Sequence, residues 1–490
     1  MPTYYMRIEA VNFDNSVYDT HDISTIRGGS FMLLDEVGSL KGRFGLEDVG
    51  SAASVGLFKF EAANSTVAES IQKQALAALR KTTGEFATYV GAFALTGDPK
   101  DFSRVVQELL AKCRWQQYQQ PTIILPAVGA TAQACDLDGV RPAVATTQKG
   151  SETLNVSQAV FDRREGREDR EGGKELRRKI YQELLGVSHL KVTEDLDSLA
   201  TRQDGGPLDG KIAFIHIDGN RFGRIREAMC KHENDLIDFQ NLIQEKLRKP
   251  ALRAILQKAQ ADLTPKGEIR LETLLWGGDE IEWVVPAWRA WHVLETFFKT
   301  TANIRFKNIP LTHAAGVVFC HHNLPILQVR RYAEKLCDLA KEKVPQKIED
   351  LGENASGFAF LNMTSFDQVT RRVKDFLEIY HEPAKAVDFI VPAAELVNPS
   401  PNLKTHLSTI KRFFPKNKLH DIILAVKTGK TKDQVKEIAN RALDMLGNNK
   451  QATHAALQAL AGENFERLER WYLASDLWDY IVEDEHASAI

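Results

Sequence analysis

The stretch Lys211-Ile-Ala-Phe-Ile-His-Ile-Asp-Gly-Asn-Arg-Phe-Gly223 restricts the folds open to this chain more than any other. Ile212, Ala213, Phe214, Ile215 and Ile217 form a nearly continuous apolar run, which suits a strand covered on both faces. The run ends at Asp218-Gly219, a carboxylate beside a flexible residue at the strand's carboxyl end. A second stretch answers it: Leu271 to Trp276, then Gly277-Gly278-Asp279-Glu280, then Ile281 to Val285. Two apolar runs joined by Gly-Gly and an acidic pair predict a tight β-hairpin with carboxylates at its tip. Acidic side chains there pack poorly but hold cations well, so the two stretches together make a candidate metal site.

A chain of 490 residues, 43% hydrophobic, can bury a large core and has room for roughly three domains. The formal net charge of −3 shows no basic excess of the kind that binds long nucleic acids. Cysteines 113, 135, 230, 320 and 337 include no CxxC pair, which fits reduced thiols better than a disulfide framework. The amino terminus lacks a signal core, and no apolar run approaches the roughly 20 residues that span a bilayer. A cytoplasmic protein with no membrane partner is expected.

Read in order, residues 4–14, Val55–Phe60, Phe86–Phe93 and Thr122–Leu125 read as strands, and Val67–Lys81 and Asp101–Gln116 as helices. The turn Ile26-Arg-Gly-Gly-Ser30 precedes a helix opening at Phe31. Residues 1–145 are thus an α/β domain. The tract Asp162–Gly173 is almost entirely charged or glycine and reads as a solvated linker. Residues 146–205 are assigned as this linker and a helix, Lys174–Leu185. Residues 206–395 follow the order β-α-α-β-β-α-β-α-β, a split βαβ, ferredoxin-like layout, which can bring Asp218 and Asp279 into one pocket. The strand signals fade over 396–490 apart from Ile422–Val426, and the rest is helical. There the stripe Leu468, Trp471, Tyr472, Leu477, Trp478 and Ile481 is a packing face. The expected class is α+β: two ferredoxin-like, palm-type domains and a helical carboxyl-terminal domain.

Mg²⁺ takes oxygen ligands and binds through one or two carboxylates plus substrate phosphates. Two Asp residues on adjacent strand ends therefore suit nucleoside triphosphate chemistry. Gly277 and Gly278 permit a positive-φ turn and close approach of a phosphate, as do Gly219 and Gly223 around the first Asp. Asn220 carries the donor and acceptor that base or ribose recognition needs. The plain alternative is that Gly277–Glu280 is only a polar turn. Thr428-Gly-Lys-Thr431 lacks the earlier glycine of a P-loop, since position 424 is Leu, and reads as a helix start.

Gly277-Gly-Asp-Glu280 resembles the signature hairpin of GGDEF-type nucleotidyl cyclases. The whole pattern is more similar to the large, polymerase-like subunit of type III CRISPR effector complexes. That family has an Asp-Gly-Asp motif after a strand, a Gly-Gly-Asp-Asp/Glu hairpin, and a later strand and helix ending in Ala-Lys. Here these are Asp218–Gly223, Gly277–Glu280, and Ala315–His321 with Ala340-Lys341. Its amino-terminal IRGAS-type segment is matched by Thr20-His-Asp-Ile-Ser-Thr-Ile-Arg-Gly-Gly-Ser-Phe-Met-Leu-Leu-Asp35. The resemblance implies an enzyme making a cyclic oligonucleotide second messenger from ATP or another triphosphate in antiviral defence. Asp218, Gly219 and Asp279 would hold Mg²⁺ or Mn²⁺, with Glu280 a further catalytic carboxylate. Gly219, Asn220, Phe222, Gly223, Gly277, Gly278, Lys335 and Lys341 would surround the nucleotide, and Arg27 and Ser30 an acceptor nucleotide. Lys341 as a surface lysine, Arg27–Ser30 as a structural turn, and His321-His322 as packing, ribose-contacting or metal-binding residues stay open. Effector subunits, guide or target RNA, and a homodimer are the partners it suggests. A diguanylate- or mononucleotide-cyclase and a nucleotide-binding scaffold are the competing functions.

The chain departs from this family in two respects. No HD nuclease domain is expected before the first palm-like domain, and His21-Asp22 reads as structural. The zinc module is reduced to Cys135-Asp-Leu-Asp138, so no structural zinc is expected. Arg27–Ser30 is expected to face the Asp218/Asp279 pocket, forming a two-nucleotide cleft.

Overall fold

The computed structural model describes residues 1–481 apart from 12, 53, 85, 97–98, 121–132, 168–169, 203 and 364–371. The strand expected at 122–125 lies outside the described residues.

In the first domain, period-two alternation along Thr3–Ala10 points Tyr4, Met6 and Ile8 to one face and Tyr5 to the other. The first face packs on the helices Ile23–Gly38 and Ser65–Thr83, the second on Phe102–Gln117. The four strands lie in the order Glu47–Ala52, Val55–Glu61, Thr3–Ala10, Tyr89–Leu95, with every pair antiparallel. In chain order this is 2-3-1-4, the ferredoxin-like arrangement.

Two expectations for this half are corrected. Ile26–Ser30 is no turn: it lies inside the helix Ile23–Gly38, which Asp22 opens by accepting from the Thr25 backbone N–H at 2.9 Å. Gly28 serves close packing instead of a bend, since a Cβ there would stand 1.8 Å from the Arg163 carbonyl oxygen. A Cβ on Gly173 would meet the Gly28 Cα at 2.2 Å. Nor is the charged tract a solvated linker. Asp162 and Arg163 are fully buried, and Arg163 donates to Asp19 at 2.8 Å and 3.1 Å and to the Ser16 carbonyl at 3.0 Å. Its arginines are paired inside the fold, Arg163 with Asp19 and Arg164 with Asp22, which composition alone does not distinguish from charges solvated by water. Next to this network, Asp138 accepts from the Val140 and Arg141 N–H groups and from Ser157 Oγ. Cys135 packs beneath Val156 and Val160.

The second sheet runs Glu272–Gly277, Glu280–Pro286, Lys211–Gly219, His313–His321, Gly357–Asn362, Val391–Pro392. Its first four strands repeat the 2-3-1-4 order. The central strand is buried on both faces as its composition requires: Ala213, Ile215 and Ile217 join Trp276, Trp283 and Phe297, while Ile212 and Phe214 join Val329, Ala333 and Leu336. Between the central strand and the hairpin, the helix Glu233–Asn241 runs through a π-helical turn Leu242–Arg248 into the helix Lys249–Ala259. The Lys249 N–H donates back five residues to Gln244, and Pro250 supplies no N–H to restore the regular ladder.

Carboxyl-terminal helices Leu403–Phe413, Lys416–Lys427, Lys432–Asp444, Lys450–Ala461 and Leu468–Asp476 pack on the second sheet. The run Ile422–Val426 is helical, with Leu419, Ile422, Ala425 and Val426 buried at helical spacing; five apolar residues do not by themselves separate strand from helix. Thr431 caps the next helix reciprocally with Gln434. Among the described residues no helix is long and apolar enough to cross a membrane.

Candidate active site

Asp218 is the penultimate residue of the central strand, beside Ala314 on one neighbour. On the other side Ile217 faces Ile281, which brings the hairpin tip alongside. Gly277 pairs with Glu280 and leaves Gly278-Asp279 as the loop, with Gly278 at φ 56°, the left-handed region that favours glycine. Asp218 is ion-paired to Lys341, the first residue after the helix Ile326–Ala340. This lysine is therefore no free surface group. Burial and then the charge of Asp218 push the Asp279 carboxyl up to about 6, and the same two causes push Glu280 up to about 7. Asp218 and Asp279 line one recess, and Glu280 adjoins Asp279 at the hairpin tip.

Local packing fixes the loop after Asp218. A Cβ on Gly219 would lie 2.6 Å from the Phe222 ring. That ring is buried, edge-on to His313 at 5.2 Å and to Phe239 at 6.2 Å, so Phe222 anchors the loop and offers no face to a nucleotide. Arg221 takes φ 62° to start the helix Phe222–Met229. Gly223 is exposed, and nothing lies within 4 Å of the Cβ it lacks. Asn220 departs from its expected role: it is 1% exposed, its N–H donates to the Thr312 carbonyl at 2.9 Å, and its Nδ2 donates to Thr312 Oγ1 at 3.0 Å. The amide nitrogen ties the loop to the neighbouring strand, while Oδ1 has no hydrogen-bond partner among the described residues.

Three other sequence assignments are displaced. Lys335 pairs with Asp338 at 3.0 Å on the exposed side of its helix and lines neither the cleft nor the recess beside the acidic pair. Arg27 is buried and grips Glu272 through two bonds of 2.7 Å and 2.8 Å, while Ser30 is buried in the same helix. Both belong to the packing between the domains, because a residue inside a helix wedged against two others has no free face. His322 Nδ1 lies 3.0 Å from the Gly210 carbonyl, and His321 stacks on it where its strand pairs with Lys211, the far end of the sheet from Asp218.

The amino-terminal domain nevertheless forms a wall of the site. A cleft of about 870 Å³ lies between Arg7, Gly50, Ser54 and Phe102 on one side and Gly277–Glu280, His216 and Arg226 on the other. A smaller recess of about 220 Å³ holds Asp218–Arg224, Asp279 and Lys341. One group was missed by sequence reasoning. Glu282, fully buried, accepts from Arg330 at 2.8 Å and Tyr18 at 2.6 Å and lies 3.0 Å from His216 Nδ1. Burial alone would raise its carboxyl, but Arg330 and His216 hold it below the usual range. The signal was present: His216 precedes Asp218 by two residues and Glu282 follows Glu280 by two, so strand alternation places each on its partner's face.

Among the described residues no cluster of three or more His, Cys, Asp or Glu side chains stands ready to enclose a metal. Two aspartates lining one recess, one of them paired with Lys341, match a hard cation whose shell is completed by phosphate oxygens, and do not match a preformed cage.

No family model and no curated protein matches the sequence. Solved structures do. A Csm1–Csm4 cassette in complex with pppApApA is 13% identical, with 97% of this chain and 69% of that chain covered and a TM-score of 0.52. Csm1 in T. onnurineus is 11% identical, with coverage of 98% and 70% and a TM-score of 0.54. The apo cassette gives 13%, 97%, 70% and 0.50. With pppApA bound, the match spans only 53% of the cassette chain, about half its length. With sequences this distant, architecture is what is shared: the chain has the fold of Csm1.

Proposed function

We propose that this chain is a nucleotidyltransferase that joins nucleoside triphosphates, ATP foremost, into a cyclic oligonucleotide with release of pyrophosphate. Csm1 proteins are type III CRISPR subunits, and the proposal includes that setting, with effector subunits and RNA as partners. The observation that carries it is the convergence of Asp218, Asp279 and Lys341 on one recess, with Asp279 also lining the larger cleft walled by both domains. Support comes from the fold, whose neighbours were solved with pppApApA and with one ATP.

Asp218 and Asp279 would hold Mg²⁺ or Mn²⁺ with the Gly219 carbonyl, and the ion would lower the pKa of the attacking hydroxyl and neutralise the leaving pyrophosphate. With a cation at Asp218, Lys341 would be free to face the triphosphate. The open backbone at Gly223, at a helix N-terminus, and at Gly278 lets phosphate oxygens approach N–H donors. The amino-terminal wall holds the acceptor nucleotide, so its hydroxyl is presented in line with the α-phosphate.

The test is incubation with each labelled triphosphate plus Mg²⁺ or Mn²⁺ and mass spectrometry of the products. Asp218→Asn and Asp279→Asn are each expected to lower turnover at least about a hundredfold with melting unchanged. Full product formation by either folded variant removes that residue from the assignment. Binding of triphosphate without any product favours the scaffold reading.

A further inference from the structure

Arg248 ends the π-helical turn Leu242–Arg248 and is 1% exposed. Its Nε, Nη1 and Nη2 all lack a hydrogen-bond partner among the described residues. Its guanidinium lies over the Trp276 ring, 4.3 Å from the centroid. Trp276 immediately precedes Gly277-Gly278-Asp279, so an uncompensated positive charge is fixed at the base of the catalytic hairpin. Every other fully buried large arginine here has a partner: Arg27 and Arg177 share Glu272, Arg141 and Arg163 share Asp19. A buried guanidinium without a counter-charge destabilises a fold unless something else uses it. Burial depresses its pKa to about 9, and the one charge that opposes this is Asp279.

We propose that Arg248 is a positioning residue whose counter-charge is supplied by the polyphosphate of the bound nucleotide, acting through the Trp276–Asp279 hairpin. The inference rests on the function proposed above. It gives the π-helical turn a purpose: an insertion in the helix delivers the guanidinium to the hairpin at a point where the regular helix would carry it past. Arg248 does not line the cleft, so it touches no substrate; its field reaches the site through the ring and the turn. A fixed cation there favours an incoming polyanion and opposes a bare metal ion. The two affinities must therefore respond to its removal with opposite signs.

The experiment compares wild type, Arg248→Met and Arg248→Lys. Mn²⁺ binding is measured without nucleotide, and binding of α,β-methylene-ATP with Mg²⁺ by calorimetry, beside melting temperature. Arg248→Met is expected to melt at or above the wild-type temperature, to bind Mn²⁺ more tightly, and to bind the analogue more weakly. Each change is on the order of tenfold, as for one nearby unit charge at an effective dielectric of about 20. Arg248→Lys is expected to restore both affinities. The proposal is overturned if folded Arg248→Met keeps both affinities, or if both fall together with melting temperature, the mark of a purely structural arginine. Unfolding of Arg248→Met with a normal Arg248→Lys overturns it too. If wild type binds the analogue and Asp279→Asn abolishes that binding while Arg248→Met does not weaken it, this inference alone fails. If wild type binds no triphosphate, the proposed function fails with it.

Discussion

A methyl group at position 219 has nowhere to go. Its Cβ would press on the Phe222 ring at 2.6 Å, and that ring is held by His313 and Phe239. Gly219→Ala is therefore expected to cost about 1–3 kcal/mol of stability in urea unfolding, as overpacking does, and to reduce turnover further by shifting Asp218. Wild-type stability with wild-type turnover would refute it. The carboxylates make a pH prediction. Asp279 and Glu280 sit above their ordinary values, so the folded state holds protons that the unfolded chain releases. Their contribution to metal-free stability is greatest below the unfolded values and is lost as pH rises through about 6 to 7. Metal binding requires the deprotonated forms and reverses that trend. Melting curves across this range, with and without Mn²⁺, should show stabilisation by the ion growing with pH; stabilisation that does not vary with pH would contradict the assignment.

Helix packing supplies the element-scale test. Gly28→Ala places a Cβ 1.8 Å from the Arg163 carbonyl, backbone against backbone, and is expected to cost more than about 3 kcal/mol or to prevent folding. A variant as stable as wild type would show that the helices Ile23–Gly38 and Gln158–Glu165 separate without penalty. The same segment marks where sequence reading ends. Central strand, hairpin and most helices were legible because their apolar periodicity is local. The role of Arg27-Gly-Gly-Ser30 was not, since glycines that allow a turn and glycines that allow two helices to touch look alike in one dimension. The charged tract failed for a related reason: Arg163 finds Asp19, some 144 positions away, and no composition window spans that distance. At the site, Asp218, Asp279 and Lys341 were legible as motif ends. Asn220 and Phe222 lie in the same motif, yet the fold turns them inward.

At the scale of the whole molecule, one buried carboxylate ties the amino-terminal half to the second sheet beside the apolar packing they share. Glu272, on the first strand of the Gly277–Glu280 hairpin, bonds Arg27 of the amino-terminal domain and Arg177 of the helix Gly173–Leu185. Glu272→Gln leaves two guanidinium groups buried without a counter-charge and is expected to cost about 3–5 kcal/mol. Chemical denaturation checks it, with Lys335→Ala, an exposed i,i+3 pair, as the control expected to change less than about 1 kcal/mol. An undiminished Glu272→Gln protein would mean that Arg27 and Arg177 do not depend on this carboxylate.

The repeated 2-3-1-4 strand order has a kinetic consequence. A cleft between two like domains is a geometry that separate molecules reach by dimerising, at a rate and occupancy set by their concentration. Here the second half is tethered to the first by the polypeptide itself, so its local concentration does not change on dilution. Specific activity should therefore stay constant as the protein is diluted, with no lag on adding enzyme to substrate. A sharp fall on dilution would show that a second molecule is needed after all.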